Sequence, residues 1–125
     1  MKPTNSIIKA AIDEAKKSNH LKRVGAVIFD KRIIVSKGRN YSLKSAKKLH
    51  PKFTKYKGAI HAEVSAILNA RCDLRGMNIL VVRLGLSGKL RYSKPCPHCM
   101  KYIEFVGIRN AYYIGRNFDI KRMKI

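Results

Sequence analysis

Two short segments carry the residue types that do metal chemistry: His61–Glu63, which reads His-Ala-Glu, and Pro95–Cys99, which reads Pro-Cys-Pro-His-Cys. Imidazole nitrogen and thiolate sulfur are ligands that zinc prefers. Cys96 and Cys99 are three positions apart, so both can reach one ion from the first turn of a helix, where the helix dipole also favours thiolate. Together with His61 they would supply three protein ligands. Three ligands are typical of a catalytic zinc, which leaves its fourth position to water.

Glu63 adds a group for proton transfer. Zinc lowers the pKa of a bound water to about 7. Glu63 lies two residues beyond His61, so it is on a different face of a helix but can flank the metal. A carboxylate there can take a proton from the water and pass it to a departing amine. Three ligands and a non-ligating Glu63 would therefore perform hydrolytic deamination of an amidine-like carbon.

The cysteine pattern also permits alternatives from other classes. Cys-x-x-Cys alone occurs in structural zinc knuckles and in redox pairs. A basic nucleic-acid-binding module with structural zinc and no catalysis is one alternative, and a fourth ligand such as His98 or Cys72 would support it. Cys72 has no partner motif, so we expect a small buried hydrophobic side chain. For His98 we expect an exposed position on a helix.

Hydrophobic periodicity predicts the elements that must position these residues. We expect a mixed five-stranded α/β sheet in three α-β-α layers, with helices on both faces and an antiparallel C-terminal hairpin. Between the first hairpin and the second helix, Tyr41–Gly58 contains six lysines and no acid, which predicts a long loop. The expected helices are Ile7–Lys17, a segment from His61 that stops before Gly76, and a segment from Pro97 to about Gly107; the expected strands are Val24–Phe29, Ile33–Gly38, Met77–Val82, Asn110–Ile114 and Phe118–Ile125.

Charge dominates the composition of the 125 residues, which we expect to form one domain over 1–125. Lys and Arg number 28 against seven acids, so the net charge is +21. Ten basic residues and no acid lie between Lys31 and Gly58, and six more lie between Leu74 and Ile103, again without an acid. A basic surface of this breadth favours a phosphate-bearing polyanion. No apolar stretch approaches the ~20 residues of a membrane span, and we expect an intracellular, cytoplasmic protein without a membrane partner.

The two motif segments resemble the H-x-E…P-C-x-x-C signature of the zinc-dependent cytidine/deoxycytidylate deaminase superfamily. The resemblance extends to Val24–Val27 and Gly38–Asn40, and it covers roughly Ile7–Ile114. It implies a cytidine-deaminase-like fold with Zn²⁺ as the cofactor. The implied zinc ligands are His61, Cys96 and Cys99, the implied proton shuttle is Glu63, and the implied substrate contacts are Asn40 and the backbone amide of Ala62.

The substrate is less closely specified by the resemblance. Lys94 stands where tRNA adenosine deaminases commonly carry Glu, which favours cytosine over adenine. The short terminal hairpin resembles the compact cytidine-deaminase branch, and the loop from Ser42 to Tyr56 resembles that of short phage-type members, for which the expected location is the host cytoplasm. We expect conversion of cytosine to uracil in a phosphate-bearing substrate and favour single-stranded nucleic acid, with free cytidine, deoxycytidine or dCMP as the alternative. Tyr92 is a candidate for stacking on the base or an ordinary loop tyrosine, and self-association stays open.

Overall fold

The fold consists of three helices and eight strands in the described part of the chain, residues 2–19, 22–42 and 59–125 of a computed structural model. The helices are α1 (Asn5–Lys16), α2 (Ala62–Asn69) and α3 (Pro97–Phe105). The strands are β1 (Arg23–Asp30), β2 (Ile33–Arg39), β3 (Tyr41–Ser42), β4 (Ala59–Ile60), β5 (Asn78–Leu84), β6 (Leu90–Arg91), β7 (Asn110–Ile114) and β8 (Ile120–Lys124).

The central sheet has the strand order β2-β1-β5-β7-β8, and the short β6 pairs with the end of β5. Strands β5 and β7 are parallel, whereas the other neighbours pair antiparallel. The predicted mixed sheet and the antiparallel terminal hairpin β7–β8 are confirmed. Two details differ from the prediction. The short strand β6 and the separate β3–β4 pair were not expected, and the crossover through α2 leads to β5, which pairs antiparallel with β1.

Alternation of side chains along the strands divides the core between the two faces of the sheet. Helix α1 covers one face, whereas α2 and α3 cover the other, so the predicted α-β-α layering is confirmed. The core beneath α1 includes Ile7, Ala11, Val27, Phe29, Leu80 and Tyr112, and the core beneath α2 and α3 includes Ala26, Ile28, Ala66, Val81, Ile103 and Ala111. The central strand β5 contributes residues to both cores.

The segment that follows α2 differs most from the prediction. The helix ends at Asn69 rather than just before Gly76, because the backbone is already extended at Ala70 (ψ 137°). A side-chain oxygen of Asp73 then accepts a hydrogen bond of 3.0 Å from the backbone amide of Arg75, and such local bonds compete with helix formation. Cys72 lies in this segment and is exposed, so the expectation of a buried side chain is wrong.

Two further expectations concern His98 and the lysine-rich loop. His98 is half-buried, with its ring edge-on to Tyr102 at 4.9 Å between centroids, so the predicted exposed position is wrong. The predicted loop over Tyr41–Gly58, from residue 43 onward, lies outside the described residues. Within the described ranges, no helix has the length and apolar character needed to cross a membrane.

Candidate metal centre and catalytic pocket

The starts of two helices bring the predicted metal ligands together. His61 is the N-cap of α2 and Cys96 is the N-cap of α3, and both have extended backbone. The Cys96 sulfur accepts a hydrogen bond from the backbone amide of Cys99 at 3.5 Å, and Pro97 occupies the first turn, where its lack of an N–H costs nothing. The local sequence thus folds each motif into a helix start that presents its donors toward the other.

The donor atoms have the separations that a tetrahedral zinc requires. His61 Nδ1 lies 3.8 Å from Cys96 Sγ and 3.3 Å from Cys99 Sγ, and the three donors all lie within 4.8 Å of one another. Zinc bonds of ~2.0–2.1 Å to nitrogen and ~2.3 Å to sulfur at tetrahedral angles place these atoms about 3.6 Å apart. These three residues therefore fit a zinc ion. In the described parts of the chain neither His98 nor Cys72 joins the group, so the fourth ligand expected of a structural site has no support there.

Protonation of the donors opposes metal binding until the metal displaces the protons. A hydrogen bond with Cys96, together with burial, raises the pKa of the Cys99 thiol far above its ordinary value. Contact with Cys96 also raises the pKa of His61, although burial of the imidazole acts in the opposite direction. The Cys99 thiol is consequently protonated at neutral pH in the metal-free protein. Because zinc binds thiolate, its binding must release that proton.

Glu63 is a buried acid beside these donors. It is the second residue of α2, and only 5% of its surface is exposed. Burial raises the pKa of its carboxyl, whereas its backbone amide and the charge of His61 act to lower it. A raised pKa makes a carboxyl group a better proton acceptor than a free carboxyl group. The arrangement therefore places a buried, titratable carboxyl group next to the three donors that could hold a metal.

A cavity of about 390 Å³ opens in front of Glu63, a size typical of sites for small ligands. It is lined by most of the sequence-predicted site residues: Asn40, His61, Ala62, Glu63, Tyr92 and Cys96. Ala62 is the first residue of α2, so its amide belongs to the helix turn that has no acceptor within the helix. Tyr92 lies at the mouth, where it is 36% exposed and its ring is nearly perpendicular to that of Tyr113, at 6.2 Å between centroids.

The Asn40 side chain helps to build the wall of this cavity. Its Oδ1 accepts hydrogen bonds from Ser18 Oγ at 2.6 Å and from the Val24 amide at 2.9 Å, and its Nδ2 donates to the Lys22 carbonyl. Asn40 thereby fixes the end of β2 against the start of β1. One of the two Nδ2 hydrogens is used in these contacts. The substrate contact expected for Asn40 stays a prediction.

Several cavity residues lack any motif and were not predicted from the sequence, and Ser93 and Arg83 are among them. Ser93 Oγ donates to the Val81 carbonyl and accepts from the Ile114 amide, each at 2.7 Å, and so attaches the segment before Cys96 to β5 and β7. Arg83 interrupts the apolar run that follows Asn78 in β5, and that interruption was the available signal. Its Nε is buried, with no hydrogen-bond acceptor among the described residues.

The layered sheet, the two donor-bearing helix starts and the buried acid define a metal-binding α/β protein with a site suited to hydrolysis. Residues 1–115 match the family described as the cytidine and deoxycytidylate deaminase zinc-binding region. The chain belongs to this family, and its cofactor is Zn²⁺.

Known proteins resemble the chain in sequence and in fold. An uncharacterized deaminase encoded in the luxG 3′ region of Aliivibrio fischeri is 34% identical over 93 residues, which are 72% of this chain and 56% of that protein. The chain thus spans little more than half the length of this relative. The dCMP deaminase of cyanophage S-TIM5 superposes with a TM-score of 0.65 at 21% identity, covering 93% of this chain and 86% of that one. A cytidine deaminase from Burkholderia pseudomallei gives 0.64 at 17% identity, covering 98% and 93%. The two structures support the predicted cytidine-deaminase-like fold.

Proposed function

We propose that this protein is a zinc-dependent deaminase that converts cytosine to uracil with release of ammonia, in a substrate that carries phosphate. The observation that carries the proposal is the buried carboxyl of Glu63 beside the donors of His61, Cys96 and Cys99 in one cavity. Family membership supports the reaction class. The names of the two structural neighbours, a dCMP deaminase and a cytidine deaminase, support cytosine as the base.

In the proposed reaction His61, Cys96 and Cys99 hold zinc, which when bound would activate water for attack at the amino-bearing carbon of the base. Glu63 accepts a proton from the attacking water and donates it to the amino nitrogen as the C–N bond breaks. A C–O bond forms in its place, so cytosine and water yield uracil and ammonia. Because Glu63 is almost fully buried, the proton passes between bound groups rather than to solvent.

The cavity walls would orient the base and sugar. The first-turn amide of Ala62 would donate a hydrogen bond to the base carbonyl, and the second Nδ2 hydrogen of Asn40 would donate to the sugar or the base. Tyr92 at the mouth would contact a ring face of the base. Each of these contacts uses a group that the structure already holds in the cavity wall.

Cations on the cavity wall favour a substrate with phosphate. Lys22, Arg83 and Lys94 line the cavity, whereas the acid in its lining is the buried Glu63. A phosphate at the mouth would meet these cations without a competing exposed carboxylate of the lining. We therefore expect deoxycytidine to be a poorer substrate than dCMP.

The test is uracil formation from dCMP by the zinc-loaded chain. Glu63→Gln should retain zinc but lower kcat by about 10²–10⁴-fold, the usual contribution of general acid–base catalysis. Glu104→Gln is the matched control, because Glu104 is exposed on α3 outside the cavity, and it should react at the wild-type rate. Retention of wild-type turnover by Glu63→Gln would refute the assigned role. Equal kcat/KM for deoxycytidine and dCMP would refute the requirement for phosphate.

A further inference from the structure

A groove lies beside the catalytic cavity, and Arg83 and Tyr92 line both spaces. The groove also contains cationic and apolar side chains that the proposed reaction at the base does not use: Arg91, Arg116, Leu86 and Phe118. These residues come from β6 and from the segments that follow β5 and β7. Because the two spaces share a wall, a ligand longer than one nucleotide could occupy both.

The cationic side chains of the groove are available to an anion. Arg83, Arg91 and Arg116 form no ion pair with a carboxylate of the described residues. The guanidinium of Arg116 lies 4.4 Å from the centre of the Tyr92 ring, which holds it at the boundary between groove and cavity. The exposed carboxylate nearest in sequence, Asp119, pairs with Lys121 at 3.0 Å. Guanidinium groups that form no ion pair with a carboxylate of the described residues are well suited to binding phosphate.

Phe118 contributes an aromatic surface in a backbone conformation that is unusual for it. Its φ is +62°, in the left-handed region that bulky residues rarely adopt, and its side chain is 65% exposed. Neither the turn nor packing in a core explains a phenylalanine there, since glycine would adopt this φ without steric cost. Residues in such conformations cluster at ligand-binding sites, and they also occur in turns such as that at Lys31, whose φ is +55°. An exposed ring beside arginines is the combination on which bases of single strands stack.

We propose that this groove binds the nucleotide next to the target cytosine of a single-stranded polynucleotide. Its phosphate would lie against Arg83 and Arg116, and its base would stack on Phe118. The inference rests on the proposed function, because the target base must enter the cavity in front of Glu63. A mononucleotide would fill the cavity alone and leave the groove without a ligand.

The experiment compares dCMP with a short single-stranded DNA, and its RNA counterpart, in which one cytosine is flanked by thymidines or uridines. The zinc-loaded full chain is assayed as wild type, Arg116→Gln and Phe118→Gly. For each groove variant we expect kcat/KM on the better strand to fall about 5- to 100-fold more than kcat/KM on dCMP, the range of one base-stacking contact. Phe118→Gly should melt no lower than wild type because glycine relieves the positive φ, so its loss of activity cannot be unfolding.

Arg109→Gln is the matched control for charge. Arg109 is exposed immediately before β7, at the opposite end of that strand from Arg116, and its loss removes the same single charge. The ratio of strand to dCMP activity should stay at the wild-type value in this variant. If Arg109→Gln lowers the ratio as much as Arg116→Gln, or if Arg116→Gln weakens dCMP and strand equally, the proposed groove site is wrong.

The remaining outcomes separate the groove from the reaction. Turnover of dCMP without turnover or binding of either strand overturns the groove proposal and leaves the proposed function intact. The opposite outcome is that a fluorescent strand binds in a manner that depends on Arg116 and Phe118, while no cytosine substrate is deaminated. It supports the groove and overturns the proposed function.

Discussion

Gly38 on β2 packs directly beneath the helix that carries Glu63. A Cβ at this position would lie 2.2 Å from the Ala66 nitrogen and 2.8 Å from the Ala62 carbonyl oxygen. Both atoms belong to the backbone of α2, so no side-chain rotation can relieve the contact. Normal van der Waals separation begins near ~3.5 Å, which means that Gly38→Ala must displace α2 by about 1 Å from the sheet.

This displacement should affect both stability and activity. Overpacking of a core commonly costs about 1–3 kcal/mol of the free energy of unfolding. The hydrogen bond of 2.6 Å from Ser36 Oγ to the Ala66 carbonyl would also lengthen. Because the predicted zinc ligand His61 is the N-cap of α2, a shift of ~1 Å misplaces His61 and Glu63 relative to α3, and misplacement on that scale can cost about 10²-fold in rate.

Gly25→Ala provides a matched control on the other face of the sheet. A Cβ at Gly25 would lie 2.2 Å from the Ala11 carbonyl oxygen and 2.6 Å from the Ala15 nitrogen, so it displaces α1, which carries none of the metal-binding residues or Glu63. We expect similar losses of stability in urea unfolding of the zinc-loaded variants. Zinc content and kcat/KM on dCMP should fall far more for Gly38→Ala. Equal losses of activity in the two variants, or wild-type behaviour of Gly38→Ala, would refute the reasoning.

Two further changes test the cavity wall and the buried acid. Ser93→Ala leaves buried groups of β5 and β7 without partners and should lower the free energy of unfolding in urea by about 1–3 kcal/mol, together with weaker zinc retention. The control Ser87→Ala, in an exposed turn, should change neither quantity. Wild-type stability and zinc retention in Ser93→Ala would contradict the anchoring role. Burial raises the pKa of Glu63, so the metal-free protein should lose stability as pH rises from the unfolded-state value of about 4.3. Metal-free Glu63→Gln should then be more stable than wild type at neutral pH and equal to it in acid, and a difference that persists below about pH 4 would show another cause.

The metal-binding group was predictable because each of its halves is local in the sequence. Cys96 and Cys99 are one helix turn apart, and His61 and Glu63 flank the start of another helix, so residue types and spacing alone indicate the chemistry. Their approach to one another depends on the sheet, whose layers were predicted from the order of the apolar strands and amphipathic helices. The order of strands and helices does not determine which distant strands pair. The position of β5 beside β1 results from burial over the whole domain rather than from either local segment.

The residues that escaped prediction act through contacts distant in sequence or through backbone geometry. The hydroxyl of Ser93 is useful only because Val81 and Ile114 approach it in the folded sheet. Phe118 has a φ of +62°, in the left-handed region, and no pattern of residue types predicts this conformation. The length of α2 was overestimated because apolar residues continue beyond Asn69, whereas the Asp73 side chain stabilises a turn there. Local hydrogen bonding prevailed over periodicity in that segment.

The ion pairs show where the net charge of +21 is left unneutralised. In the described part of the chain the carboxylates of Glu14, Asp73 and Asp119 are each paired with a nearby cation, so these acids do little to neutralise the arginines at the cavity and groove. Exposed charges act over roughly 10 Å before salt screens them, far enough to attract a phosphate to the mouth. Glu63 responds instead to burial, which raises its pKa against the surrounding positive charge. The surface charge therefore bears on which substrate is attracted, whereas the proposed proton transfer depends on a carboxyl group that the fold buries away from solvent.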